Sequence, residues 1–244
     1  MSRDRAVILE VKQLVKRFGG FRALDGISFD LAPGEVLGLV GPNGSGKTTC
    51  INVISGLHAP DGGEVRFEGS PIGGIPSYRL ARQGINRTFQ SPKPFLSLTV
   101  WENVEIAAAY GHGAAAHMAV DLTGLLESME LDTLRDRAAG DLNSAQQKTL
   151  DLARALATAP RLLLVDELAA GLNPAELRRM ADRLRSMADQ GMAMVVVEHL
   201  MGFIDRVTDR VIVMNAGKEI FEGTLATATR DPDVIRVFLG GAHA

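Results

Sequence analysis

The stretch GPNGSGKTT, residues 41–49, narrows what this chain can fold into more than any other segment. It carries G-x-x-x-x-G-K-[ST] at Gly41, Gly46, Lys47 and Thr48, with Pro42, Asn43, Gly44 and Ser45 between the glycines and Thr49 after them. EVLGLV (35–40) precedes it as a short apolar run of the buried-strand type, and KTTCINVISGL (47–57) follows with Ile51, Ile54 and Leu57 on one helical face. A strand, a glycine-rich loop and a helix in that order build a cradle for phosphate. Glycines let the backbone approach the oxygens without Cβ clashes, and exposed N–H groups and the positive helix end bind the negative charge. Lys47 is expected on the β- and γ-phosphates and Thr48 on Mg2+. An accidental lysine in a glycine-rich turn is the bland alternative, and the flanking strand and helix count against it.

The rest of the chain supports an α/β fold with a mainly parallel core sheet. AVILEV (6–11), ISFDL (27–31) and GGEVRFEG (62–69) read as strands on the N-terminal side, an antiparallel β subdomain. LLLVD (162–166), AMVVVE (193–198) and RVIVM (210–214) read as buried strands. Residues 100–139 change character: VWENVEIAAAY and LTGLLESMEL are helical patterns joined by the small-residue stretch GHGAAAH. A further helix runs from about 143 to Ala157 and stops before Pro160. PAELRRMADRLRSMADQG is a long amphipathic helix, with Pro174 suited to its first turn and Gly191 to its end. NAGK (215–218) reads as a turn into EIFEG. With no repeat and no long linker, one domain over 1–244 is expected, carrying a helical subdomain at about 91–158.

Composition then limits the partners. Apolar residues make up 46%, enough for a core, and the net charge of −3 argues against a nucleic-acid partner. One cysteine, Cys50, forms no internal disulfide and fits a reducing compartment; on the helix after the loop it reads as a small buried residue. The N-terminus lacks a signal-peptide core, and apolar runs such as MAMVVV (192–197) are too short to span a bilayer. A soluble, cytoplasmic chain is expected, with any membrane role reached through a partner.

The second half of the chemistry is RLLLVDE. Its apolar strand delivers Asp166 and Glu167 at the carboxyl end, where ligands sit in such sheets. Asp166 is placed to hold Mg2+ and Glu167 to polarise a water for attack on the γ-phosphate. His199, in EHL (198–200), ends the next strand near the same edge. A lone histidine there is more often structural, but this one is positioned for the γ-phosphate or the attacking water.

In order, GPNGSGKTT, RTFQ (87–90), LNSAQQK (142–148), LLLVDE, AAGLNP and EH resemble the ATP-binding cassette (ABC) family over nearly the whole chain. That resemblance implies a P-loop ABC ATPase using ATP and Mg2+. Phe18 in VKRFGG would stack on adenine, where a core or rim phenylalanine is the simpler reading. Gln90 would bind Mg2+ and sense the γ-phosphate, and the helical subdomain would receive a coupling helix from a membrane subunit. LTVWENV, AAGLNPAE, VEHLM, DRVIVMNAGKEIFEGT and DPDVIRVFLG look narrower still, like the ATPases of branched-chain amino acid importers. Such ATPases imply a second cassette, as homo- or heterodimer, transmembrane permease subunits, indirectly a periplasmic or extracellular solute-binding protein, and a place on the cytoplasmic face of the membrane. A lipopolysaccharide-export-type cassette or a non-transport ABC ATPase is the alternative; VEHLM and AGLNP argue against the first, and the lack of long insertions or a second cassette against the second.

The chain departs from the general cassette pattern at Leu168, Asn173 and Leu200, and its helical insertion is short for the subfamily. It departs most in LNSAQQK, where the family reads LSGGQ or similar: Asn143 stands for serine and Ala145 for the second glycine. Helix capping by Asn143 or Ser144 is the plain reading. The resemblance adds that Asn143, Ser144, Ala145 and Gln146 face the γ-phosphate bound by the other cassette, with the Ala145 methyl crowding it if the backbone there requires φ > 0.

Overall fold

The computed structural model describes residues 6–111 and 120–240. Two sheets form its frame. A four-stranded antiparallel sheet runs β2-β1-β4-β5, from β1 (Leu9–Phe18), β2 (Phe21–Leu31), β4 (Gly62–Phe67) and β5 (Ser70–Pro71). A six-stranded sheet runs β10-β9-β3-β8-β7-β6, from β3 (Val36–Val40), β6 (Ile85–Arg87), β7 (Leu162–Asp166), β8 (Ala193–Val197), β9 (Arg210–Asn215) and β10 (Lys218–Gly223). All its neighbours pair in parallel except β10 with β9.

Residues of β3, β7 and β8 are buried throughout, which is why they read as unbroken apolar runs. Their side chains alternate between two cores. Val36, Leu163, Val165, Met194 and Val196 pack on one face with the helices α5 (Ser144–Leu156), α6 (Pro174–Asp189) and α7 (Met201–Val207). Leu37, Leu39, Leu162, Leu164 and Val195 pack on the other with α1 (Lys47–Ile54) and the antiparallel sheet. Between β6 and β7 lie α3 (Val100–Gly111), α4 (Leu122–Ser128) and α5; α2 (Ser77–Arg82), α8 (Leu225–Ala228) and α9 (Pro232–Gly240) complete the helices among the described residues. Most of the GHGAAAH linker lies outside those residues. The order β3-β8-β7-β6 brings four segments to one edge: the loop after Val40, residues 198–199, residues 166–167 and residues 88–90.

Several boundaries differ from the sequence reading. AVILEV and ISFDL are only ends of two long paired strands. The period-2 pattern breaks at Gln13, whose φ of 47° marks a register shift between Val11 and Leu14, and whose side chain and N–H both donate to Ser28 Oγ at 2.9 Å. Helix α1 stops at Ile54, so Leu57 leaves the helical face and is exposed. Gly56 sets that stop: its φ is 72°, and a Cβ there would lie 2.2 Å from Ile75 O. The short elements α2, β6 and α7 carry too few periods to stand out from sequence.

Candidate functional site

The loop after β3 is shaped by close backbone approach. Gly41 has φ 148° and a Cβ there would lie 2.2 Å from Met214 O; Gly46 has φ 107° and a Cβ there would lie 2.6 Å from Ala23 O. Gly46 is also the N-cap of α1, and it brings no side-chain cap to that helix. Lys47 is buried, and its Nζ donates to the carbonyls of Gly41 at 2.8 Å and Pro42 at 2.9 Å. Burial pulls its pKa down, against the opposing pull of the Glu167 and Asp166 carboxylates. Cys50 is fully buried, and burial pushes its thiol up to about 12, which makes it an inert core residue.

The two acids at the end of β7 have different surroundings. Asp166 is buried and accepts from Arg87 Nη2 at 3.0 Å. Burial pushes its carboxyl up, opposed first by Arg87. Glu167 has φ 49°, a left-handed conformation that costs a non-glycine residue about 1–3 kcal/mol unless its surroundings enforce it. Its N–H donates to Val197 O at 2.9 Å. Gln90 Nε2 donates to Glu167 Oε2 at 2.5 Å, and His199 Nε2 lies 2.9 Å from Glu167 Oε1. Two residues from distant segments of the chain thus meet on the Glu167 carboxylate.

A cavity of about 250 Å³ opens over the loop, lined by Phe18, Phe21, Ala23, Asn43, Gly44, Gly46, Lys47, Thr48, Thr49, Glu167 and His199. Phe18 is 46% exposed, meets His58 edge-on at 5.2 Å between ring centroids, and has Lys16 Nζ 5.5 Å from its ring. It is a rim residue with an open ring, not a core phenylalanine. The loop, Glu167, His199 and Phe18, far apart in the sequence, therefore share one cavity.

Residues 24–170 match the family model described as ABC transporter. The chain belongs to the ABC transporter family. A high-affinity branched-chain amino acid transport ATP-binding protein of Pseudomonas aeruginosa is 35% identical, the match covering 96% of this chain and 98% of the relative. A solved nucleotide-free ATP-binding cassette from an ABC transporter is 32% identical at a TM-score of 0.86, with 95% of this chain and 98% of that one covered. A solved dimeric post-hydrolysis state of an ATP-binding cassette, bound to ADP and Pi, is 25% identical at a TM-score of 0.79, covering 89% of this chain and 99% of that one.

The LNSAQQK loop of this ABC cassette does not join the phosphate cavity. Asn143, Ala145 and Gln146 line a separate cavity of about 190 Å³ with Leu172, Glu176 and Arg179 among others. Asn143 caps α5: its Oδ1 accepts from Gln146 N at 2.9 Å, while Gln146 Oε1 accepts from Asn143 N at 3.0 Å. Ser144 and Ala145 fall in the first turn, and Ala145 is not among the residues of positive φ. The anticipated crowding by its methyl therefore loses its premise.

Three neighbours of the site were not picked out from sequence. Phe21 and Ala23 line the cavity, yet sit in a stretch with no chemical pattern. Arg87 was within reach: it opens the RTFQ stretch, and a cation three residues before Gln90 invites a search for its acid.

Proposed function

We propose that this cassette is the peripheral ATPase subunit of an importer for branched-chain amino acids or a related small solute. The observation that carries the proposal is the convergence of Gln90 and His199 on Glu167 in the cavity that also holds Lys47. ATP would lie with its phosphates against Gly41–Thr49 and its base on the open face of Phe18. Lys47 would exchange its two carbonyl partners for phosphate oxygens. Glu167 would polarise the attacking water, with His199 and Gln90 fixing the carboxylate and contacting the γ-phosphate.

Thr48, Gln90 and Asp166 offer hard oxygen donors that suit Mg2+. Arg87 engages one oxygen of Asp166, and Gln90 donates its amide N–H to Glu167, leaving the other Asp166 oxygen and the Gln90 carbonyl for a cation. Too few side-chain donors for a closed cage suits an ion shared with phosphates; among the described residues no group of three or more His, Cys, Asp or Glu is arranged for a metal. The ion would neutralise charge on the transferring phosphate.

The separation of Asn143–Gln146 from Lys47 supports a site shared between two cassettes, each loop serving the other's nucleotide. Among the described residues no helix is long and apolar enough to cross a membrane. Attachment to the cytoplasmic face would therefore come through permease subunits, with a solute-binding protein upstream and no nucleic-acid partner. We take 1–244 as one cassette, with the helical subdomain at about 91–158 as the permease-facing part.

The test is Glu167→Gln in a purified complex with the partner cassette, read at this chain's own phosphate site. Turnover should fall by about a hundredfold or more while ATP affinity stays within a few-fold, because binding and water activation use different groups. Wild-type turnover from Glu167→Gln removes the role given to Glu167.

A further inference from the structure

LNSAQQK ends in Lys148, which does not line the phosphate cavity. Although a lysine on the second turn of a helix, it is buried, with 6% of its surface exposed. Lysine is rarely buried without partners, because desolvating an ammonium is costly. Its partners are main-chain carbonyls: Nζ donates to Leu168 O at 3.1 Å and to Ala170 O. The N–H between them is held by another buried charge. Glu198, 2% exposed, accepts from Ala169 N at 2.6 Å through Oε1 and from His199 N at 3.3 Å through Oε2.

We propose that Lys148 and Glu198 form a buried clip that positions Glu167 and His199 for the hydrolytic step. Leu168, Ala169 and Ala170 directly follow Glu167, and each has one backbone group bound by a buried charged side chain. A left-handed glutamate persists only where its neighbours over-determine it, and the clip supplies that constraint from the C-terminal side. On the N-terminal side the Glu167 N–H is tied to Val197 O. Glu198 joins the second partner to the same frame, since it holds the His199 amide while His199 Nε2 meets the Glu167 carboxylate. Lys148 and Glu198 also favour each other's charge. Burial pushes Lys148 down, and Glu198 and then Glu167 oppose that; burial pushes Glu198 up, opposed by its two backbone N–H donors and by Lys148. Neither side chain lines the phosphate cavity, so both are positioning residues and not catalytic ones.

Helix α5 extends the same logic. Lys148, Asp151 and Arg154 recur at a spacing of three, on one side of the helix, and all reach main chain around the site. Asp151 Oδ2 accepts from Phe89 N at 3.0 Å, one residue before Gln90, and Arg154 Nη1 donates to Lys93 O at 2.8 Å. The helix that opens with Asn143 is thereby pinned to both loops that flank Glu167.

The inference rests on the ATPase reading, and its test separates the two. The full chain, in complex with its partner cassette, is compared as wild type, Lys148→Met, and Lys148→Met with Glu198→Gln. The double variant removes the stranded buried carboxylate that Lys148→Met alone would leave, so it guards against a simple folding failure. Three quantities are read: kcat, ATP affinity, and hydrogen exchange of the peptide containing residues 168–173. Both variants should lose about ten- to a hundredfold in kcat with ATP affinity within twofold, since a small misplacement of a reacting group acts on that scale. Exchange at Ala169, Ala170 and Leu172 should quicken. In a Glu167→Gln background, Lys148→Met should leave the residual turnover unchanged, because the group it positions is already gone. Unchanged protection of 168–173 overturns the clip, as does a loss that multiplies in the Glu167→Gln background or appears equally in affinity. A wild-type complex with the partner cassette that binds ATP at this chain's own site without turnover there overturns the role given to Glu167 instead, and hydrogen exchange still decides whether the clip exists.

Discussion

Two helices of this cassette begin beside proposed phosphate contacts, and they begin in opposite ways. Helix α1 starts from Gly46, in a left-handed conformation with no side-chain cap. Helix α5 starts from Asn143, which closes a reciprocal capping box with Gln146. Helix α6 repeats the second solution, with Asn173 capping Ala175 N and Glu176 N and Glu176 reaching back. All three face the same problem, since first-turn N–H groups lack partners within a helix. The two asparagine-capped helices solve it from their own sequence and gain about 1 kcal/mol each. Helix α1 has no side-chain cap and is held instead by packing, with Cys50, Ile51 and Ile54 fully buried beneath it. One start gives up its local cap and is held by packing, and the other fills the cap from its own sequence.

The harshest way to break this contrast is Gly46→Ala. The new Cβ would meet Ala23 O at 2.6 Å in a conformation that alanine rarely adopts. ATP binding should fall to background in a nucleotide titration, and the melting temperature should drop by several degrees. Retained tight binding would mean that the loop geometry matters less than the charge of Lys47.

A smaller effect tests what the open start leaves unread. In the proposed function the N-terminus of α1 holds phosphates without distinguishing bases, and the base falls to Phe18. Phe18→Ala should cost about 1–3 kcal/mol in ATP and GTP binding alike, as for other aromatic stacking platforms, and tyrosine should substitute well. Strong ATP-over-GTP selectivity in the wild type would point to a contact other than stacking.

At the capped start, Asn143→Ala should lower stability by about 1 kcal/mol, seen as a shift in the denaturation midpoint. ATP affinity at this chain's own phosphate loop should not change, because Asn143 lines a different cavity. A large loss of affinity would show that the two starts serve one site within a single chain.

The smallest expected change in stability comes from Asn143→Ser with Ala145→Gly, which keeps a capping oxygen and places glycine in a helical turn at a cost below about 1 kcal/mol. Its effect on turnover should appear in trans. In a complex with the partner cassette, carrying Lys47→Ala to silence this chain's own site, the loop changes should still alter ATPase. If they act only when Lys47 is intact, the loop works in cis and the shared site fails.

Much of the site was visible in the sequence because its parts are contiguous and chemically loud. Gly41–Thr49, Asp166 and Glu167 announce themselves by composition within one strand end or one loop. Other features were quiet for physical reasons. Arg87 and Glu198 are ordinary charged residues until the sheet order places them beside an acid and an amide. Gln13 hides the continuity of β1, because a bulge inverts the apolar alternation that would reveal it. The conformation at Ala145 was undecidable from a motif, since a glycine at the corresponding family position permits either hand of backbone.

Local rules were enough for β3, β7 and β8, whose residues are buried on both faces and so must be apolar throughout, and for α6, whose cap, proline and amphipathic stripe agree. The sequence alone also carries the glycine-rich loop with Lys47 and the pair of acids Asp166 and Glu167. Which residues meet was decided only by tertiary structure. The crossover order β3-β8-β7-β6 sets His199 and Gln90 on Glu167, and the same fold keeps Asn143–Gln146 out of the cavity. The reason is range: capping, periodicity and turn chemistry act over a few residues, whereas the contacts around Glu167 span 32 residues to His199 and 77 to Gln90, distances along the chain that only the packed sheet closes.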